Sequence, residues 1–296
     1  MSHQVALQGE LTLAELEPFL DPLVEGKVVH RGASDTVLDL SAVRFVPPGP
    51  IVALTAIVEH LSLGGLRPRI VVPTLPDCRR YLAANGFIAV ASGFADLEGA
   101  DDVLGQSTSA SDTVIPLTRL ASLDEIPPLL RDIENRLDEM LGSGSVGWER
   151  AKGPLRSTVR ELCANVTEHS GGAPGWIAAQ RYRAHQTGVP FVRIAIGDAG
   201  RGIRRSLASQ HTELLKASDG EALERMLKEH LTSSPQAFRG NGYFVLQKAT
   251  KELSGSFQLR SGTAEVVRPR RGVHRRRDGL AAWPGTFLDV SLTCGL

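Results

Sequence analysis

Residues 159–172 read VRELCANVTEHSGG, and this stretch decides the fold of the second half of the chain. Leu155, Val159, Leu162 and Val166 recur at helical spacing and predict an amphipathic helix with its apolar stripe on a core. Glu161, Asn165 and His169 also recur every fourth residue, so they line the flank of that stripe. A solvated flank more often carries Lys, Arg and Gln. A carboxylate, an amide and an imidazole beside an apolar face raise the question of a ligand.

Upstream of that helix, SLDEIPPLLRDIENRLDEMLG (122–142) reads as a helix that starts after Pro127-Pro128 and stops at Gly142. Downstream, GWIAAQRYRA (175–184) and PFVRIAIGDAG (190–200) alternate as paired strands around a turn at Gly188-Val189-Pro190. EALERMLKEHL (221–231) is helical, and RGNGYFVLQKATKEL (239–253) reads as a glycine loop opening a helix. SGSFQLRSG (254–262) and PGTFLDVSL (284–292) close the chain as strands. The expected arrangement is α+β, helices over one face of a mixed, mostly antiparallel sheet.

The first half has a different rhythm. TVLDLSAV (36–43) is an alternating strand, broken by Pro-Pro-Gly-Pro at 47–50 and followed by an apolar helix from about Ile51 to Leu63. Gly64-Gly65 ends that helix, PRIVVPT (68–74) reads as a buried strand, and DCRRYLAANGF (77–87) as a short helix closed by Gly86. Strand, helix, strand, helix predicts an α/β unit with parallel pairing. EGADDVLGQSTSASDT (98–113) is polar and rich in Gly, Ser and Asp, as linkers are. The expected division is residues 1–98, a linker at 99–115, and residues 116–296.

At 296 residues the chain is long for a single core. Lys+Arg and Asp+Glu balance at 33 each, so net charge argues for neither a nucleic-acid nor a membrane partner. Cys78, Cys163 and Cys294 are scattered and odd in number, which opposes a disulfide framework or a metal-binding pair and favours a reducing cytoplasm. The N-terminal residues carry no basic region followed by an apolar run, and no segment is apolar over a bilayer's length. The expectation is a cytoplasmic protein outside the membrane.

Four features in the second half suit a nucleotide. Asp198, at a strand end before Gly200 and Gly202, can accept a hydrogen bond from an adenine amino group while the glycines leave room for the base. Gly240 and Gly242 open a helix, whose free N–H groups and dipole suit phosphates. Asn165 offers a hard oxygen to Mg²⁺, which keeps waters and bridges phosphate oxygens. Glu161, one turn earlier, could orient or deprotonate the group attacking the γ-phosphate. Gly285-Thr286 begins the last strand and carries little signal alone. His169, at the helix end, most simply meets the last carbonyls and the dipole, with an accessory role in the site as the alternative.

Together, ELCANVTEHS, DAGRGI, GNGYFVLQKA and GTFLDV resemble the ATP-binding domain of the GHKL superfamily, and the first motif resembles the anti-sigma-factor serine kinases most. That resemblance implies Asn165 as Mg²⁺ ligand, Glu161 as base and Asp198 on the adenine. It also implies Gly200 and Gly202 around the base, Gly240 and Gly242 at the phosphates, Thr286 near the adenine, and residues 204–238 as a lid. The implied cofactors are ATP and Mg²⁺. The implied partner is a STAS-type or sigma-factor-like regulator, and homodimerisation is implied too. Tyr243-Phe244 depart from the family pattern, where a small or aliphatic residue and a further glycine are usual. No phosphoacceptor-His hairpin precedes the domain, so sensor-kinase autophosphorylation is not expected.

VLDLSAVRFV, the helix after it, RPRIVVP and CRRYLAANGF resemble the STAS fold of anti-sigma-factor antagonists. Phosphorylated members of that family carry an acceptor Ser where this chain reads Val46-Pro47-Pro48-Gly49-Pro50, so a docking or structural role is implied instead. The arginine-rich loop at 268–277 reads as a solvated hairpin, or as an electrostatic contact with an acidic protein or nucleic acid. Two functions follow. One is a Mg-ATP-binding regulator that hydrolyses ATP or phosphorylates Ser/Thr of a partner; the other is a catalytically inactive, ATP-gated binding module. A third class, methyl transfer, is suggested by IAIGDAGRGI but disfavoured because the motif follows the Glu-Asn helix and precedes a second glycine loop; competition of S-adenosylmethionine against ATP tests it.

Overall fold

A computed structural model describes residues 3–24, 36–104, 112–232 and 242–294. In the first half, β1 (His3–Glu10), β2 (Thr36–Phe45), β3 (Arg69–Val71) and β4 (Asp96–Glu98) form a parallel sheet in chain order. Parallel neighbours require crossovers. These are α1 (Glu17–Val24), α2 (Pro48–Leu63), and the pair α3 (Pro76–Ala84) and α4 (Phe87–Ala91). α2 begins at Pro48 rather than near Ile51, because a proline in the first turn has no N–H left unsatisfied and its φ already suits a helix.

The second half folds into seven strands, β5 (Thr113–Leu120), β6 (Gly175–Arg183), β7 (Pro190–Asp198), β8 (Ser256–Gly262), β9 (Ala264–Arg268), β10 (Arg275–Arg277) and β11 (Trp283–Thr293). Their order is β10-β9-β8-β11-β7-β6-β5, and every pairing is antiparallel. One face is covered by α5 (Ile126–Leu141), α6 (Val146–His169), α7 (Gly202–Leu207), α8 (Asp219–Glu229) and α9 (Gly242–Glu252). Leu155, Val159, Leu162 and Val166 of α6 are all buried there, against Ile177, Ile194 and Val290 of the sheet.

The expectation of helices on one face only is corrected by α2. Thirteen of its sixteen residues are buried, and a helix apolar all round needs cover on all sides. It lies between the two sheets, with Leu38 and Leu40 of β2 in the same apolar cluster as Trp176, Ala178, Ala195 and Phe287 of the seven-stranded sheet. The fit is close. A Cβ on Gly49 would stand 2.3 Å from Asp289 Oδ2, and one on Gly197 would stand 3.3 Å from Val52 Cγ1. Polar ties cross the same boundary. Buried Glu59 of α2 accepts from Trp176 Nε1 at 2.6 Å and from Arg119 at 3.2 Å. Arg260 of β8, 1% exposed, pairs with Glu17 of α1, whose other oxygen accepts the Ala281 N–H at 2.9 Å.

The segment expected to link the halves enters the fold at both ends. Ala100 and Val103 are buried in the first-half cluster, and Thr113, Val114 and Ile115 belong to β5. Residues 105–111 lie outside the described residues.

Candidate functional site

The flank of α6 is half-buried along its length. Glu161, Asn165 and His169 are each partly covered, while the stripe beside them is closed off. α9 packs on this flank through its first residue. A Cβ on Gly242 would lie 2.6 Å from Asn165 Nδ2 and 3.3 Å from Glu161 Cβ, so only glycine permits that approach. Gly240 lies outside the described residues, as does the end of the expected lid, residues 233–238.

Across from Asn165, β7 ends at Asp198, 3% exposed. Register places Thr286 of β11 opposite it. Its Oδ1 accepts the Gly200 N–H at 2.8 Å, and the carboxylate also accepts the Thr286 N–H. Trp283 Nε1 donates to the Asp198 carbonyl at 3.2 Å, which ties the strand end to β11. The glycines are there for space: a Cβ on Gly200 would stand 2.0 Å from the Ser170 carbonyl oxygen, and one on Gly285 would stand 2.2 Å from the Asp198 carbonyl. Gly202 has φ +73°, and a Cβ there would meet Ser261 Oγ at 2.8 Å. That hydroxyl accepts the Ile203 N–H at 2.9 Å and donates to the Gly285 carbonyl at 2.8 Å.

Between α6, the strand ends, α7 and α8 is a cavity of about 60 Å³. Asn165, His169, Asp198, Ser206, Tyr243 and Thr286 provide polar groups; Leu162, Val166, Ile196, Ile203, Leu207, Met226, Leu231 and Leu288 form the apolar walls. Gly202 and Thr232 complete the rim. Of the residues singled out in the sequence, Asn165, His169, Asp198, Gly202 and Thr286 therefore meet at one cavity, with Gly200 and Gly242 packed behind it. Glu161 does not line it. Its carboxylate is paired with the neighbouring Arg160 at 3.1 Å.

The electrostatics are unusual for a carboxylate. Burial pushes the Asp198 carboxyl up to about 7, against the two N–H donors that favour its charged form. Burial likewise raises the Tyr243 phenol, and the nearby Asp198 charge adds to that rise. His169 is lowered, first by burial and then by Arg201, with Glu168 opposing. Near neutral pH the cavity thus holds a neutral imidazole, a neutral phenol and one carboxyl balanced between its two forms.

Tyr243, singled out in the sequence only as a departure from the glycine pattern, lines the cavity, and the segment expected as a lid supplies Leu207, Met226 and Leu231 to its walls. Tyr243 enters because α9 starts against α6, which turns the residue after Gly242 into the cavity. Asn165 Nδ2 is buried and has no hydrogen-bond partner among the described residues. No group of three His, Cys, Asp or Glu side chains among those residues could hold a metal. A divalent ion fits here only if a bound phosphate brings most of its oxygens, with the Asn165 amide adding one.

No protein-family model matches the chain, and no curated protein sequence matches it.

Proposed function

We propose that the cavity binds the adenine of Mg-ATP, and that the protein is a regulator of the anti-sigma-factor kinase type. The observation that carries this reading is Asp198. A buried carboxyl at a strand end, next to an apolar cavity and held by backbone donors, is a ready acceptor for an exocyclic amino group. Thr286 stands beside it for a second polar contact. Asn165 on the opposite wall has its Nδ2 unpaired among the described residues, a donor that suits a phosphate oxygen, while its Oδ1 is the atom that would ligate a phosphate-borne Mg²⁺. When bound, that ion would supply charge neutralisation on the phosphate oxygens. The GHKL resemblance of the four motifs agrees with these roles.

The cavity is far smaller than the roughly 300–1,000 Å³ of most small-molecule sites. Nucleotide entry therefore requires the α7–α8 side, including Met226 and Thr232, to move outward, as lids do. The first half would serve as a structural and docking layer rather than a phospho-switch. Residues 46–50, where an acceptor hydroxyl is missing, are all buried.

Whether phosphate is transferred turns on Glu161. Its pairing with Arg160, away from the cavity lining, favours the second reading, an ATP-gated binding module without turnover. Glu161→Gln separates the two. For a kinase or ATPase, turnover is expected to fall by about 10²–10⁴-fold with ATP affinity kept, the usual effect of losing a general base. For the binding module, wild type and variant are expected to show the same absence of phosphate release in a radiolabelled-ATP assay.

A further inference from the structure

α2 covers only part of the sheet face turned to the first half. It lies over β6, β7 and β11, and Gly49 of its first turn packs on Asp289. Beyond Asp289 the same face continues over β8 and the β9–β10 hairpin. Strand register fixes the side chains it presents. Asp289 stands opposite Gln258, Gln258 opposite Val267, and Val267 opposite Arg275. In the next row Arg193 stands opposite Ser291 and Ser291 opposite Ser256; beyond it Phe191 stands opposite Thr293. Val267, Gln258, Ser256 and Ser291 floor a groove of about 370 Å³ on this face, with Phe191 and Arg270 at one end.

The charges around the groove are unequal. Asp289 accepts from Arg193 Nε at 2.9 Å and Nη2 at 2.8 Å, so that pair neutralises itself. Arg277, on this face, pairs with Glu265. Arg276 belongs to the opposite face, where Glu224 of α8 and Asp278 pair with it. Arg270 lies 5.6 Å over the Phe191 ring and donates to Thr293 Oγ1 at 2.7 Å, with no carboxylate partner among the described residues. Arg275 shares the groove's face, is exposed, and has no carboxylate partner among those residues either. Two cations on one face are therefore left uncompensated.

The floor between them is uncharged. Gln258 Nε2 donates to Glu265 at 2.7 Å, which leaves its carbonyl oxygen to accept. The Ser256 and Ser291 hydroxyls make no side-chain hydrogen bond among the described residues and are within reach of solvent. Phe191, backed by Tyr182 stacked at 5.3 Å, gives a rigid apolar wall. Hydroxyls and an amide suit a polypeptide main chain, an aromatic wall suits an apolar side chain, and free guanidiniums suit carboxylates. A nucleic-acid backbone would call for a longer run of unpaired cations than these two.

We propose that this groove docks an extended acidic segment of a partner protein, with carboxylates on Arg270 and Arg275 and an apolar side chain against Phe191.

The test is fluorescence anisotropy of the full chain, without nucleotide, against a fluorescein-labelled octapeptide in which Glu-Asp pairs alternate with single Leu residues. The wild type is expected to bind it, more weakly as salt is raised. The double variant Arg270→Glu, Arg275→Glu is expected to bind at least about tenfold more weakly. Both residues are exposed, and circular dichroism checks that the fold is kept. Arg276→Gln removes a charge from the same strand but from the other face, and is expected to bind like wild type. No binding by the wild type overturns the proposal, as does equal binding of the peptide with Gln and Asn in place of its acids. An equal loss in Arg276→Gln would show a diffuse basic patch, and tighter binding of an oligo-dT octamer would show a nucleic-acid surface; either also overturns it.

Discussion

Raising the pH from about 5 to about 8 is expected to cost the ligand-free wild type roughly 3 kcal/mol relative to its Asp198→Asn variant. The folded Asp198 carboxyl titrates at about 7, against 3.8 for an unperturbed one. Between those values the native state holds a proton that the unfolded chain has lost. Stability therefore falls as pH rises through that window, and the loss is complete above about 7. The group is buried, so little solvent screening reduces the effect. His60, His169 and His274 act in the opposite sense. Burial lowers each of them, so the native state gains stability as the pH rises from the lowered folded value up to the unfolded histidine value, and no more beyond it. The difference between wild type and variant removes that common contribution. Urea unfolding of both proteins at several pH values measures it, and two parallel stability curves would show that Asp198 carries no such strain. The same strain has a functional side: an amino group that hydrogen-bonds the carboxylate favours its charged form and pulls the pKa back down.

Separating the two halves is expected to abolish folding of the second. Residues 112–296 alone would expose Trp176, Trp283 and Phe287, which are 3%, 3% and 0% exposed in the full chain and share a cluster with the first half. Uncovering three such side chains forfeits roughly 5–9 kcal/mol, comparable to the whole stability of a typical domain. It would also leave Arg260 without Glu17 and Trp176 without Glu59. The fragment is expected to aggregate or to lack a cooperative melting transition. A soluble fragment melting cooperatively near the temperature of the full chain would mean that the shared layer contributes little.

Much of the second half was legible because its elements follow simple periods. The α6 stripe, the β6–β7 hairpin and the closing strands can be read from spacing and turn residues alone. The second buried face of the sheet was harder. In β6, residues 175–180 are all buried, so the polar alternation that would mark an exposed face is absent. The matching signal was α2, apolar on every side, with one acid, Glu59, inside it. β5 was hidden by Pro116, which an edge strand tolerates, and β5 is indeed the last strand of its sheet. β1 alternates cleanly, with Val5 and Leu7 buried, but is an isolated strand without the parallel partner thirty residues on.

The site was legible in part for the same reason. Glu161, Asn165 and His169 follow one helical period, and Asp198 ends a clear strand. That Asp198 and Thr286 face each other depends on antiparallel register between β7 and β11, which spacing does not encode. That Glu161 turns to Arg160 is a local choice between neighbours that no motif specifies.

The most direct measurement is calorimetric titration of the full chain with Mg-ATP, wild type beside Asp198→Asn. The expected result is binding by the wild type and none by the variant, with circular dichroism showing the fold intact in both. Absence of binding by the wild type, or equal binding by the variant, would contradict an adenine site at Asp198.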